Sequence, residues 1–198
     1  MRSGGLPTMS DTSSSRLAPK RSHAALLSWL AGLLLLLSGC ASVPPRPADT
    51  PLAFVLVRHA EKATDDPDNP SLDAAGHARA QALAAELRDV PLAAIYATEY
   101  RRTQQTAEPA ARQHRLPVTA YFAKASAAQN AERWRRQHTR GTVLIVGHSN
   151  TVPDLAAALC GCTIAPMDDG EYDRFIQVRF DASGNAQVDT RRYGAPHH

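Results

Sequence analysis

The stretch Ala53-Phe54-Val55-Leu56-Val57-Arg58-His59-Ala60-Glu61-Lys62 joins five apolar residues directly to an Arg-His pair. The apolar part is short and partly β-branched, which predicts a buried strand over Ala53–Val57. A second run of the same kind, Thr142-Val143-Leu144-Ile145-Val146-Gly147, opens onto His148-Ser149-Asn150. Buried strands that read as near-continuous apolar runs belong to sheets covered on both faces.

The remaining segments alternate in the same sense. A polar loop with Asp65, Asp66 and Asp68 leads to a helix capped by Ser71 or Asp73 and running to about Asp89, with Leu72, Gly76, Ala80, Leu83, Leu87 and Val90 at helical spacing. Leu92–Ala97 reads as a second strand, Arg101 to about His114 as a helix, and Pro117–Phe122 as a third strand. Ala125–His138 and Asn150–Leu159 read as helices around the Thr142–Gly147 strand. Arg174–Asp181 and Ala186–Arg192 flank Ser183-Gly184-Asn185 as a hairpin. Strands alternating with helices predict a three-layer α/β/α fold around a mostly parallel sheet.

Ligands collect at the carboxyl ends of strands in such a sheet. Three strands end in reactive residues: Arg58-His59, the segment Ala97-Thr98-Glu99-Tyr100-Arg101-Arg102-Thr103-Gln104-Gln105-Thr106, and His148-Ser149. Guanidinium groups bind phosphate oxygens through paired, charge-assisted hydrogen bonds. A neutral imidazole nitrogen is a competent nucleophile toward phosphorus once its other nitrogen is held by an acceptor. A second histidine, when protonated, can stabilise charge on a transferring phosphoryl group. The helix opening beyond Ser149 offers free N–H groups to an anion.

Arg58-His59-Ala60-Glu61, Arg102-Thr-Gln-Gln-Thr-Ala and Gly147-His148-Ser149, in that order and spacing, resemble the motifs of the phosphoglycerate mutase-like branch of the histidine phosphatase superfamily, above all its small uncapped members. The resemblance spans most of residues 53–180. It implies a phosphoglycerate mutase-like fold and hydrolysis of a phosphomonoester or phosphoramidate, without a metal or other cofactor. By position it makes His59 the phosphorylated nucleophile and Arg58, Arg102 and His148 its phosphate-binding partners, with Ser149 a further contact. Arg102 is preferred to Arg101 because it directly precedes Thr-Gln-Gln-Thr. Many relatives carry an acidic proton donor beyond the third strand, but Tyr121–Asn130 contains no acid. Glu61 and Glu108 are the remaining candidates, and some small relatives work without a dedicated acid. The alternatives are a mutase-like phosphotransferase, which calls for a larger cap, and a non-catalytic phosphate-binding protein, which would be expected to have lost one of the four residues.

The N-terminus carries a separate message. Arg16, Lys20 and Arg21 precede the uncharged apolar run Ala24–Ser38. That run is shorter than the about 20 residues of a membrane span, and fits the apolar region of a secretory signal. It ends in Leu37-Ser38-Gly39-Cys40, which resembles the bacterial lipobox, so residues 1–39 are expected to be removed and Cys40 lipidated. Met9 is an alternative start that leaves this signal intact. Residues 40–51 read as a Pro-rich tether, 52–193 as the domain and 194–198 as a tail. Ala41 in place of Asp points, by the same resemblance, to the periplasmic face of the outer membrane. Expected substrates are phosphorylated small molecules or envelope glycan and lipid phosphates.

Charge excludes one class of partner. The whole chain has 22 basic and 19 acidic residues, but four basic residues and one acidic residue lie within 1–40. The remainder is neutral on balance, so nothing argues for nucleic acid. Cys160 and Cys162 are expected as free thiols or a labile bridge, and make a poor zinc site for want of a second ligand pair. His77, His114 and His138, and the basic run Arg133–Arg136, read as solvated helix surface.

Overall fold

The computed structural model describes residues 50–196. The signal segment, Cys40, most of the tether and the two final histidines lie outside the described residues, and with them the expectations placed there. Ten elements follow in order: β1 (Ala53–Arg58), α1 (Ala74–Glu86), β2 (Leu92–Thr98), α2 (Arg101–His114), β3 (Val118–Tyr121), α3 (Ala127–Gln137), β4 (Thr142–Gly147), α4 (Val152–Cys160), β5 (Arg174–Phe180) and β6 (Ala186–Arg192). The strands form one sheet in the order β3-β2-β4-β1-β5-β6. β3, β2, β4 and β1 run parallel, while β5 is antiparallel to β1 and β6 to β5.

Strand alternation divides the core into two layers. Phe54, Leu56, Val143 and Ile145 pack on one face with Trp134 of α3 and Leu155 and Leu159 of α4. Val55, Val57, Leu144 and Val146 pack on the other with Leu83 and Leu87, from α1 and just beyond it, and Ala107 and Ala110 of α2. All six residues of β1 and of β4 are buried, which explains their unbroken apolar character. Full burial of each such side chain contributes about 1.5–3 kcal/mol. The three-layer α/β/α arrangement expected from the sequence is the one observed.

Several local expectations are decided here. Asp73, not Ser71, caps α1, accepting the Gly76 N–H at 2.7 Å. Gly76 also meets the loop after β1 so closely that a Cβ would lie 2.2 Å from the Glu61 carbonyl oxygen. Trp134 is fully buried, so the basic run around it leaves only arginines on the surface. His114 and His138 are not surface histidines: each is half-buried, His114 bonded to the Leu87 carbonyl and His138 to the Tyr96 hydroxyl. Cys160 and Cys162 are bridged, which removes the free-thiol alternative.

Candidate active site

β1 and β4 are neighbours at the centre of the sheet, yet the chain leaves them toward opposite faces. β1 runs on to α1, packed in one layer, and β4 to α4, packed in the other. This is a topological switch point, where the departing loops open a crevice. His59 and His148 sit on these two loops, joined by a bond from the His59 N–H to the Gly147 carbonyl at 2.9 Å. Their rings lie 5.3 Å apart between centroids. Arg58, His59 and His148 are only 4%, 3% and 9% exposed.

The start of α2 braces the same crevice from the side, and each residue of its motif has a task. Thr106 accepts the Ala60 N–H at 2.9 Å and donates to the Arg102 carbonyl, tying the His59 loop to the helix turn that carries Arg102. Gln105 accepts the Leu72 N–H at 2.8 Å, and Gln104 donates to the Thr98 carbonyl at 2.7 Å. Arg101 turns away, toward Asn69 and Asp65. The polar loop is thus held by its own side chains and by Arg101, and Arg102 is the residue that faces the crevice.

Hydrogen bonding fixes which nitrogen of each histidine is free. His59 Nδ1 lies 2.8 Å from the Ala60 carbonyl. A carbonyl only accepts, so Nδ1 carries the proton and Nε2 keeps its lone pair. His148 Nε2 lies 3.0 Å from Thr98 Oγ1, which lies 2.8 Å from Thr103 Oγ1. The Thr103 hydroxyl donates to the Tyr100 carbonyl at 2.7 Å. With that proton committed, the Thr98 hydroxyl donates to Thr103 and accepts from His148 Nε2–H. His148 Nδ1 is left for a ligand.

Burial pushes the His59 imidazole down to about 3, with Arg58, His148 and Arg102 adding to the effect and the Ala60 hydrogen bond opposing it. Burial likewise pushes His148 down to about 4, reinforced by Arg102 and Arg58. Both rings are neutral at neutral pH in the unliganded protein, and a bound phosphate dianion would favour protonation of His148. The stability consequence has a definite sign. Between the ordinary value of 6.5 and these depressed ones, the unfolded chain binds more protons than the folded one. Stability is therefore lost as pH falls below 6.5, with a slope approaching about 1.4 kcal/mol per pH unit for each histidine. Thermal melts between pH 7.5 and 5 are expected to show a falling Tm, and a smaller fall in the His59→Asn/His148→Asn double variant. An equal fall in both proteins would contradict the assignment.

The two arginines present open donor edges. Arg58 Nη1 donates to the carbonyls of Asp168 at 3.0 Å, Asp169 at 2.5 Å and Glu171 at 3.4 Å. Its guanidinium lies over the Tyr172 ring at 4.2 Å, and that of Arg102 over Tyr100 at 4.4 Å. The Nε atoms of both arginines are buried and have no partner among the described residues. Buried donors without acceptors are costly. Burial lowers both guanidinium pKa values, and Arg58 further lowers that of Arg102, while each remains a cation. Two such groups facing one crevice suit an anion.

The crevice has a volume of about 340 Å³. Arg58, His59, Arg102, His148 and Ser149 all line it, so five of the residues expected from the sequence are brought together. A larger cleft of about 490 Å³ lies at the opposite pole, around Leu52, His138 and Phe180, and contains none of them. Neither candidate proton donor lines the crevice. The Glu61 carboxylate turns away from the crevice into a bidentate pair with buried Arg79 at 2.6–3.0 Å. Glu108 pairs with Arg112 on the exposed face of α2. The sequence reading also missed Lys62, Tyr100, Lys124 and Asp169 in the lining, and Tyr172 beside it. Asp169 and Tyr172 arrive because antiparallel β5 brings its amino end to the carboxyl end of β1, with Phe175 opposite Val57.

Two histidines and two arginines thus meet in one crevice of a three-layer α/β/α domain. The family model for the histidine phosphatase superfamily (branch 1) matches residues 54–121. The match covers about a third of the chain, and the described domain shares its fold with several solved structures. One is the protein histidine phosphatase SixA complexed with tungstate, 21% identical over 71% of this chain and 96% of that one, with a TM-score of 0.56. Another is YhfR of Bacillus stearothermophilus, 20% identical over 69% of this chain and 95% of that one, with a TM-score of 0.56. A mycobacterial glucosyl-3-phosphoglycerate phosphatase is 15% identical over 72% of this chain and 98% of that one, with a TM-score of 0.52. No curated protein sequence matches the chain.

Proposed function

We propose that this protein is a metal-independent phosphatase that hydrolyses a phosphomonoester or phosphoramidate through a phosphohistidine on His59. The observation that carries the reading is the pairing of a buried neutral imidazole, its Nε2 lone pair free, with two guanidinium groups whose Nε donors lack acceptors. The phosphoryl oxygens would take those donors together with His148, protonated at Nδ1 by the approach of the dianion. The His59 Nε2 lone pair forms a bond to phosphorus as the bond to the leaving oxygen or nitrogen breaks. Water then attacks phosphorus, and the P–N pair returns to Nε2. The arginines and His148 supply the positive charge that a metal provides elsewhere.

Two of the connections at the crevice are short, which favours access of water and so hydrolysis over mutase chemistry. Only Glu99 and Tyr100 join β2 to α2, and Phe122–Ser126 join β3 to α3. On the N-terminal reading the enzyme would be lipidated at Cys40 and held at the periplasmic face of the outer membrane. Its substrates would then be phosphorylated small molecules or envelope phosphates.

The test is hydrolysis of p-nitrophenyl phosphate by the purified full-length chain. Activity is expected to persist in excess EDTA and to be inhibited by tungstate, the anion bound in the SixA structure. Activity abolished by the chelator and restored by a divalent cation would contradict the proposal.

A further inference from the structure

We infer that Asp169 is the residue that moves the proton in both halves of this reaction, giving it to the leaving oxygen and taking it from water. The inference rests on the phosphohistidine reading above. Expulsion of an alkoxide needs a proton, and the attacking water must lose one. His59 can serve neither need, because Nε2 is the reacting atom and Nδ1–H is committed to the Ala60 carbonyl. His148 and the arginines are engaged with the phosphoryl oxygens. Glu61 and Glu108 are paired elsewhere. Among the described residues that line the crevice, Asp169 is the one carboxyl group.

Its placement suits the geometry of displacement. The nucleophile lies on the crevice floor, so an in-line leaving group departs toward the mouth, and water later enters from there. Asp169 is exposed, whereas His59 is buried. Its position is fixed from two sides. The Asp169 carbonyl accepts from Arg58 Nη1 at 2.5 Å, and its carboxylate Oδ1 lies 3.4 Å from Ser149 Oγ, on the residue after His148. Among the described residues the carboxylate has no salt-bridge partner. A phosphate dianion bound beside a carboxyl group favours its protonated form. In the first step the carboxyl proton passes to the leaving oxygen as the P–O bond breaks. In the second the resulting carboxylate takes a proton from water as the new P–O bond forms and the P–N bond breaks.

The experiment compares Asp169→Asn with the wild-type full-length protein on an alkyl phosphate, which has a poor leaving group, and on p-nitrophenyl phosphate. The value of kcat/KM reports transfer to His59 alone. It is expected to fall at least about 100-fold for the alkyl ester and far less for the aryl ester. With the aryl ester, Asp169→Asn is also expected to release a burst of one nitrophenol per chain before slow turnover. Asp169→Glu should restore part of the alkyl-ester activity. Equal losses on both esters would overturn the inference. So would a leaving-group-dependent loss in Glu99→Gln instead, a residue whose carboxylate accepts the Ala123 N–H at 2.9 Å. A wild-type protein that hydrolyses neither ester would overturn the phosphatase reading itself.

Discussion

His59→Ala is expected to lower kcat/KM for p-nitrophenyl phosphate by at least about 10⁴-fold, or about 5.5 kcal/mol of transition-state stabilisation. The loss is large because the imidazole forms the covalent bond. His148 is not expected to replace it, because its Nε2–H is held by Thr98 and its Nδ1 takes a proton when the dianion binds, which leaves no lone pair for attack. The fold should survive. The His59 side chain bonds only to the carbonyl of its own neighbour, and the strand before it is held by β4 and β5. Steady-state kinetics with a thermal melt on the same sample separate the two effects. Retention of more than a tenth of wild-type activity in a folded His59→Ala protein would contradict the nucleophilic role.

Arg102→Ala is expected to lower kcat about 10²- to 10³-fold, the cost of removing one preorganised donor from a developing charge. Its effect on stability is expected to have the opposite sign. Among the described residues the Arg102 guanidinium has no hydrogen-bond or ion-pair partner, its Nε is buried without an acceptor, and Arg58 repels it. Its stacking on Tyr100 offsets this only in part. Removing it should leave Tm unchanged or slightly higher. Arg58→Ala is a contrasting case, since Arg58 also holds the 168–171 turn through three carbonyls. A merely structural Arg102 would give the reverse pattern, with Tm lowered and kcat preserved.

Much of the fold was legible because buried parallel strands and amphipathic helices write different periods into the chain. β1 and β4 were readable as apolar runs, and their loops carried the histidines that the switch point brings together. The acids were not readable in the same way. Glu61 stands two residues from the nucleophile, but its partner Arg79 lies a helix away in sequence, and only the packing of α1 on the loop reveals the pair. Glu108 could have been set aside by geometry. Six residues at about 100° each put it roughly 240° around the helix from Arg102, and Arg112 one turn on is its natural partner. Asp169 and Tyr172 were hidden for a topological reason. A search of strand carboxyl ends cannot find residues that precede an antiparallel strand, and the direction of β5 is not written in its own sequence.

Rapid quench of the full-length protein with ³²P-labelled substrate traps the covalent intermediate if it forms. An acid-labile, alkali-stable label is expected on the peptide containing His59, formed and lost within the turnover time and absent from His59→Ala. Label on any other residue, or steady turnover by His59→Ala, would contradict it.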